Sequence, residues 1–578
     1  MRKLLDYYRR QLNDYESALA YSLLGVLGGV ASGLVVLAFE LAIIELSQLW
    51  GVDVGSGGEG FEALPRWMLF ALPAAGATVL GCVFTLLRPE DRETGIVHVL
   101  SRMHSHYSIL PLRNALVQFF GGVFGLATGQ SGGREGPGVH LGGAVNSLLG
   151  QWLGLPNNSL RVLIACGTAG GIAAAFNTPL AGAIFAMEVI IAEYTVVGFI
   201  PVMLAAVSAS AVSHTLSGDS ALFEISEISL NSLLELPFII LLGLCCGVAV
   251  SGFIRVSEFA ARLAHWPVLL RFSLAGCVTG GMALFVPEIM GIGYDTIELA
   301  LQGEVALTAL LVIALCKLLA TAVSCGVGMP LGLIGPNLLI GACIGGAVGM
   351  IGATLQPELA SDPTLYIVIG MGAAMGAVLN APLAAILAVI ELTQTISISM
   401  AAMLAIVAAT LTNTGIFGLR SAHQTVLRQL QRVVPDDPLN QLLHSTSVSS
   451  TMDSRVVRAP VILQKADLEP LLEFTPAWCV VEREGEDLYL VSGFELLEWL
   501  GEALLEMETA DVTEAGIRRW TIASVPVQAT LRQAVDAMRV QTTEAVCVYE
   551  RSPSTGKQIL HGVVTRESIE KFSLASVL

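Results

Sequence analysis

Glu135 stands in the run Gly133-Arg134-Glu135-Gly136-Pro137, one carboxylate between two glycines and just before a proline. Proline there suits the first turn of a helix. A helix start presents unpaired N–H groups and the positive end of its dipole. It therefore holds an anion, or a carboxylate standing in for one. The run lies in apolar sequence, where an ionisable residue is a functional candidate by default. Glu135 thus reads as a group that occupies an anion site while ionised and leaves it when protonated, a gate and a proton carrier in one. The competing reading is a structural turn closed by an Arg134–Glu135 ion pair. A second run, Gly332-Leu333-Ile334-Gly335-Pro336, repeats the glycine and proline spacing without the charge. Its backbone N–H groups would face the same ion, or it is a glycine kink at a packed helix crossing.

The match between the two stretches extends further. Asn177-Thr-Pro179-Leu-Ala leads to Glu188, and Asn380-Ala-Pro382-Leu-Ala leads to Glu391 at the same spacing. Gly142 and Gly341 follow the two upstream prolines at equal distances. The chain is duplicated, and glycine and proline interrupt apolar segments at corresponding points of both halves. That pattern marks a transporter site built from broken helices near the bilayer midplane. If each half holds an odd number of spans, the repeats are inverted relative to each other. Glu188 and Glu391 end apolar runs at matched positions. Each would hydrogen-bond backbone groups of a neighbouring re-entrant segment, or serve as a structural buried carboxylate in its own repeat.

The elements that must carry these residues are membrane helices. The 578 residues are 54% hydrophobic and 13% charged, against about 25% charged in ordinary soluble chains. Residues 18–49, 239–250, 308–325 and 400–417 hold few or no charges. Windows near twenty apolar residues read as spans, roughly ten or more in all. Fifty-nine glycines suit close helix packing in lipid. The net charge of −18 arises largely in the C-terminal region and argues against nucleic-acid binding, which needs clustered Lys and Arg. The ten cysteines show no C-x-x-C pair and no metal spacing; they read as small buried hydrophobes. No nucleophile–base pair, metal cluster or phosphate loop stands at recognisable spacing, so the chain does not read as an enzyme.

Residues 1–18 carry Arg2, Lys3, Arg9 and Arg10 and read as an amphipathic helix on the cytoplasmic face, not as a signal peptide. Residues 19–430 read as the membrane domain, in halves of about 19–215 and 235–430 with the polar Ser217-Gly-Asp-Ser between them. Arg420, Arg428 and Arg432 after the last span put both ends in the cytoplasm. Residues 431–444 read as a linker. Residues 445–578 read as a soluble α/β module of two units, about 445–505 and 518–575. Strands over 477–481 and 488–492 precede a helix over 495–505, and strands over 545–549 and 562–565 precede a helix over 566–572.

With these residues assembled, the chain resembles the CLC chloride channels and chloride/proton antiporters. The resemblance rests on Gly133-Arg-Glu-Gly-Pro137, Gly332-x-x-x-Pro336 and the repeated Asn-x-Pro-Leu-Ala. It covers essentially the whole chain, the residues from about 445 being similar to the paired CBS domains that many CLC proteins carry. It implies an all-α polytopic membrane protein, a CLC-type inverted repeat with broken helices, plus a small cytoplasmic α/β CBS pair. It also implies a homodimer in the bilayer of the cell (inner) membrane, with one anion pathway per subunit and no required cofactor. The substrate would be chloride or a similar small anion, with protons as the second substrate in exchangers. In the family, helix N-termini, a serine hydroxyl, a tyrosine hydroxyl and backbone amides hold the chloride.

Carried over by position, Glu135 matches the gating glutamate, flanked by Arg134 and Gly136. The family's Gly-Ser-Gly-Ile-Pro falls on Glu93-Thr94-Gly95-Ile96-Val97. Thr94 then stands for the serine, and the proline is lost. Gly-x-Phe-x-Pro falls on the second run, where Ile334 beside Leu333 replaces the phenylalanine and keeps its N–H. The tyrosine falls on His423, for which a packing residue at a helix end is the alternative. Proton-coupled members carry an internal glutamate directly after the position of Glu188. Here it is Val189, which cannot relay a proton. Channel members have valine there, yet some coupled members also lack the glutamate, so channel and exchanger both stand. The altered Thr94 and Ile334 positions keep a fluoride-selective variant open. CBS nucleotide sites carry Ser or Thr with Asp three residues later. Ser492 with Glu495 is a partial match, and Thr565 with Ser568 lacks the carboxylate. A dimerisation and regulatory module is the preferred reading, adenine nucleotide in the cleft the alternative, and a nucleotide-sensing membrane regulator the rival for the whole chain.

Overall fold

The computed structural model describes residues 18–577 apart from 53–59, 106–107, 156, 193–195, 219–222, 224–229, 358–360, 431–441, 444–445, 465–470, 472–473, 484–485, 507–508 and 552–557. The leading helix expected over residues 1–18, all but its last residue, lies outside the described residues. So do most of the linker 431–444 and part of the polar segment after Ser217. The chain divides into two compact units. One comprises residues 16–153 and 160–434, the other residues 435–578 with the turn at 154–159.

The first unit is helical. Its first half contains α1 (Ala18–Gln48), α2 (Arg66–Leu86), α3 (Gly95–Ser105), α4 (Leu112–Ala127), α5 (Glu135–Leu153), α6 (Asn157–Phe176), α7 (Pro179–Phe185) and α8 (Val196–Ser217). The second half contains α9 (Leu236–Ala261), α10 (Val268–Ala283), α11 (Tyr294–Leu301), α12 (Leu307–Gly326), α13 (Ile334–Leu355), α14 (Pro363–Leu379), α15 (Pro382–Thr393), α16 (Ser399–Leu411) and α17 (Ala422–Gln429). Among the described residues, eight helices are long and apolar enough to cross a membrane and four apolar ones are shorter.

The repeats are visible in how helices stop and restart. Asn177 and Asn380 adopt left-handed backbone, φ 57° and 55°, a conformation asparagine tolerates at a helix end. Pro179 and Pro382 then open α7 and α15 at their first positions, where a missing N–H costs nothing. A methyl group at Gly142 would collide with the Gly167 carbonyl, and one at Gly341 with that of Gly370. The pairs α5 with α6 and α13 with α14 therefore cross backbone to backbone.

Glu188 and Glu391 fasten the halves to each other. Glu188 accepts the Leu383 and Ala384 N–H groups at 3.3 and 2.9 Å. Glu391 accepts those of Leu180 and Ala181, both at 2.8 Å. Each carboxylate thus caps the proline-led helix of the opposite repeat, a favourable place for a negative charge. Glu391→Ala leaves two N–H groups unmatched and is expected to cost about 1–3 kcal/mol. The loss reads as a lower unfolding temperature in detergent, with Glu188→Ala behaving alike.

The second unit is α/β. Its first half contains β1 (Val456–Pro460), β2 (Ile462–Gln464), β3 (Trp478–Arg483), β4 (Glu486–Ser492), α18 (Gly493–Glu506) and β5 (Thr509–Asp511). Then come β6 (Arg519–Trp520), β7 (Ile522–Pro526), α19 (Leu531–Gln541), β8 (Ala545–Arg551), β9 (Gln558–Thr565) and α20 (Arg566–Val577). Strand orders are β1-β3-β4-β6, β7-β8-β9 and a two-stranded β2-β5. In both halves a parallel strand precedes an antiparallel pair and a closing helix. Val480 and Leu490 pack with Ala545, Cys547 and Val563, joining the two strand pairs through one apolar core.

The expected strand pairs and closing helices are present, but β1, β7 and α19 were not read from the sequence. Within this unit the segment before β1 joins the later half. Val448 N–H bonds to Ala529 O, and Asp453 pairs with Val563. Residues 447–453 therefore pack on the second half, and the first half begins at β1.

Candidate anion site

Gly133 and Gly332 form an isolated antiparallel bridge. The Gly133 N–H donates to Gly332 O at 2.8 Å, and the Gly332 N–H to Gly133 O at 2.7 Å. This rung ties the start of α5 to the start of α13. The crossing requires glycine, because a Cβ at Gly136 would lie 2.7 Å from Gly332 Cα. Glu135, the first residue of α5, is fully buried. Its Oε1 accepts the Ile334 N–H at 2.5 Å. The carboxylate of one repeat therefore occupies the N-terminus of the other repeat's helix, with Leu333 as the cap position of α13.

Arg134 has partners away from Glu135. Its guanidinium meets Glu40 on α1 at 3.1 Å, donates to Ala175 O at 2.7 Å, and lies over the Tyr294 ring at 5.7 Å. The Arg134 side chain is thus held by groups other than the Glu135 carboxylate. Tyr294 itself escaped the sequence reading. A Cβ on Gly335 would lie 3.2 Å from its hydroxyl and 3.4 Å from Glu135 Oε2, so the phenol and the Glu135 carboxylate flank the same glycine.

The loop before α5 is anchored from behind. Ser131 Oγ meets Thr321 Oγ1 at 2.8 Å, and the Gly132 N–H donates to Gly291 O at 3.2 Å. Gly291 O also accepts from Lys317 Nζ at 2.8 Å, as does Ile289 O at 3.0 Å. Lys317 is fully buried and was legible as a lone charge within residues 308–325.

Thr94, Gly95 and Ile96 stand at the start of α3, Gly95 with φ 72°. Two α4 side chains hold that start. Asn114 donates to Glu90 O and Glu93 O at 2.8 and 3.0 Å. Gln118 accepts the Gly95 N–H at 2.7 Å and donates to Pro330 O at 2.9 Å. Gln118 thereby links the Thr94 turn to the loop that leads into α13. Gln118→Leu is expected to lower anion flux about tenfold by leaving both partners unmatched, while the chain still inserts; flux from proteoliposomes measures it. His423 lies buried in the first turn of α17, whose N-cap is Ser421. That helix packs against α3.

Val189 is half-buried in the π-helical turn Ala186–Ile191, next to Glu188. Arg161 closes that turn by donating to Ile191 O at 3.2 Å. In the α/β unit, Thr565 and Ser568 line a cleft of about 370 Å³ together with Ser450, Asp453 and Trp478. Ser492 and Glu495 are not among its lining residues; Ser492 instead accepts the Glu495 N–H at 3.5 Å at the start of α18. Ser492 pairs in the sheet with Trp478, which does line the cleft. Thr565 and Ser568 also cap each other's backbone N–H groups.

The profile of the voltage-gated chloride channel family matches residues 76–414. The H(+)/Cl(−) exchange transporter ClcA of Vibrio cholerae is 31% identical over 404 residues, covering 67% of this chain and 85% of that protein. The transporter of the same name from Vibrio vulnificus is 30% identical over 400 residues, with the same coverage. Solved structures share the fold. A slow cyanobacterial Cl−/H+ antiporter superposes with TM-score 0.62 at 23% identity, over 71% of this chain and 98% of its own. A eukaryotic CLC transporter superposes with TM-score 0.58 at 20% identity, over 95% and 97%. A profile match over more than half the length and relatives above the level of chance resemblance lead to one conclusion: the chain is a multi-pass membrane protein of the voltage-gated chloride channel (CLC) family, whose members are channels and transporters and not enzymes.

Proposed function

We propose that the chain carries chloride or a similar small anion across the membrane through one pathway per subunit, with Glu135 as its gate. The observation that carries this reading is the Glu135 carboxylate on the Ile334 N–H, at the start of a helix from the other repeat. A helix N-terminus suits a small anion for the same reasons that it suits the carboxylate. Glu135 and the anion then compete for one place, and protonation of Glu135 yields it. Thr94 and the α3 start form the next station along the path, with His423 beside it on α17. No cofactor is required for such transport.

Exchange for protons is the first reading, since the relatives named above are described as exchangers. A passive channel is the second, favoured by Val189. Liposomes loaded with chloride separate them. A reversal potential that moves with a pH gradient supports exchange. A reversal that ignores pH supports the channel, and absence of anion flux rejects both. Fluoride in place of chloride tests the fluoride-selective alternative in the same vesicles.

The α/β unit is read as a CBS pair serving dimerisation and regulation. Its repeated strand–helix arrangement supports this, and so does the eukaryotic CLC structure that spans 95% of the chain. The incomplete signature, Glu495 in place of aspartate after Ser492 and Ser568 after Thr565, weighs against adenine nucleotide and against a nucleotide-sensing regulator. A homodimer would bury the apolar residues Leu180, Val207, Leu383 and Val407, which are exposed in the single chain. The site would lie in the cell (inner) membrane with both chain ends cytoplasmic.

A further inference from the structure

Two histidines that the anion path does not use lie face to face behind it. His98 on α3 and His140 on α5 are both buried. His98 Nδ1 is 2.8 Å from His140 Nε2, and the rings stack with centroids 5.1 Å apart. Arg102 Nε–H donates to His98 Nε2 at 3.2 Å. A guanidinium has no acceptor, so this bond leaves the lone pair on His98 Nε2 and the proton on Nδ1. That proton points at His140 Nε2. The proton of His140 then sits on Nδ1, a buried atom with no hydrogen-bond partner. Glu93 Oε2 lies 3.6 Å from His98 Nε2, and its side chain is 25% exposed. A partly exposed carboxylate, an imidazole and a second imidazole thus form one line. It ends on the helix whose first residue is Glu135, five residues or about 7.5 Å of rise away.

We propose that Glu93, His98 and His140 form a proton path that serves Glu135. Arg102 swings from His98 towards Glu93, and a proton from Glu93 enters at His98 Nε2. The Nδ1 proton of His98 passes to His140 Nε2, and the Nδ1 proton of His140 leaves towards Glu135 through water. One proton enters and one leaves. Both rings end neutral with their tautomers exchanged, and tautomerisation of each ring, the proton moving from Nε2 back to Nδ1, resets them. Val189, in the π-helical turn that follows α7, offers no titratable group for this task.

The charges facing the pair are few. Arg102 and Glu93 flank it on the α3 side, and Glu135 stands at the head of α5. Across α1, Glu40 is engaged by Arg134. Near the α4 start, Arg113 and Asp91 lie 3.8 Å apart. On α6, Arg161 is turned to Ile191 O. On α17, His423 and Arg428 are the titratable side chains, and on α13 the buried thiol of Cys343.

The inference rests on the anion-transport reading, and its test separates the two. Chloride and proton fluxes are recorded together from proteoliposomes of the full chain. Wild type is expected to drive protons uphill on a chloride gradient. His140→Gln keeps the ring's hydrogen-bonding reach but carries no proton through. It is expected to lower protons moved per chloride by about tenfold or more while chloride flux stays within about twofold. A positioning role alone would leave that ratio unchanged. If His140→Gln passes no chloride, Glu93→Gln decides, being a change at a partly exposed residue. An unchanged ratio in Glu93→Gln, or in an active His140→Gln, overturns the path. Wild-type chloride flux without proton movement overturns the path and leaves the anion reading intact. Absence of any anion flux overturns the anion reading itself.

Discussion

Glu135→Gln is expected to hold the anion path open and to remove the response of flux to pH. In the wild type the ionised carboxylate takes the Ile334 N–H at the start of α13. That bond pairs a full charge with a helix dipole and an amide, a combination roughly twice as strong as a neutral hydrogen bond. In the proposed mechanism an anion displaces it. Protonation removes the charge, weakens the bond and frees the site, so wild-type flux rises as pH falls. Glutamine has the shape of the protonated acid and no proton to lose. Chloride efflux from the variant should therefore exceed that of the wild type at neutral pH by about tenfold, a change of about 1.4 kcal/mol in occupancy of the site. It should also stay flat across the pH range in which the wild type responds. Proton movement, if coupled, should stop. Chloride efflux recorded at stepped external pH reads all three. A variant with wild-type flux and wild-type pH response would remove Glu135 from the role of gate.

The second large effect is expected at the glycine crossing. Gly332→Ala puts a methyl group 2.6 Å from Gly136 N and against the Glu135 carboxyl carbon at 2.7 Å. The Glu135 carboxyl is the end of a side chain and can move aside, but the Gly136 backbone cannot. The rung between Gly133 and Gly332 must open, or the two helix starts must separate. A displacement near one ångström at a positioned site costs about a hundredfold in rate. Overpacking of this kind costs about 1–3 kcal/mol in stability. Flux through Gly332→Ala should thus fall about a hundredfold, with a smaller fall in unfolding temperature. Flux near that of the wild type would mean that the two helix starts need not meet for transport.

The parts of this arrangement legible in the sequence are those carried by local spacing. Gly133 to Pro137 announces a helix start with a carboxylate in it, and Gly332 to Pro336 announces its uncharged twin. The repeated Asn-x-Pro announces a break and restart, which left-handed Asn177 and Asn380 then realise. Spacing does not reveal which half each group faces. Glu188 and Glu391 were readable as carboxylates near re-entrant backbone, but their exchange across the repeats needs the fold. Arg134 next to Glu135 in sequence suggested an ion pair, and Glu40, far away along the chain, wins the guanidinium. Gln118, Tyr294 and His98 were not picked out, because their partners come from distant segments. In the α/β unit, the longer β-branched runs stood out while β1 and β7, each ending in proline, did not. The early segment 447–453 packs on the later half, a crossing that no local pattern encodes.

In the proposed mechanism an anion and the Glu135 carboxylate share one site at the meeting of α5 and α13. Crystals of Glu135→Ala grown in bromide test it directly through anomalous scattering. A bromide ion within hydrogen-bonding reach of the Ile334 N–H, in the space vacated by the carboxylate, is the expected result. A transport-competent Glu135→Ala protein with no anion at that amide would contradict the account.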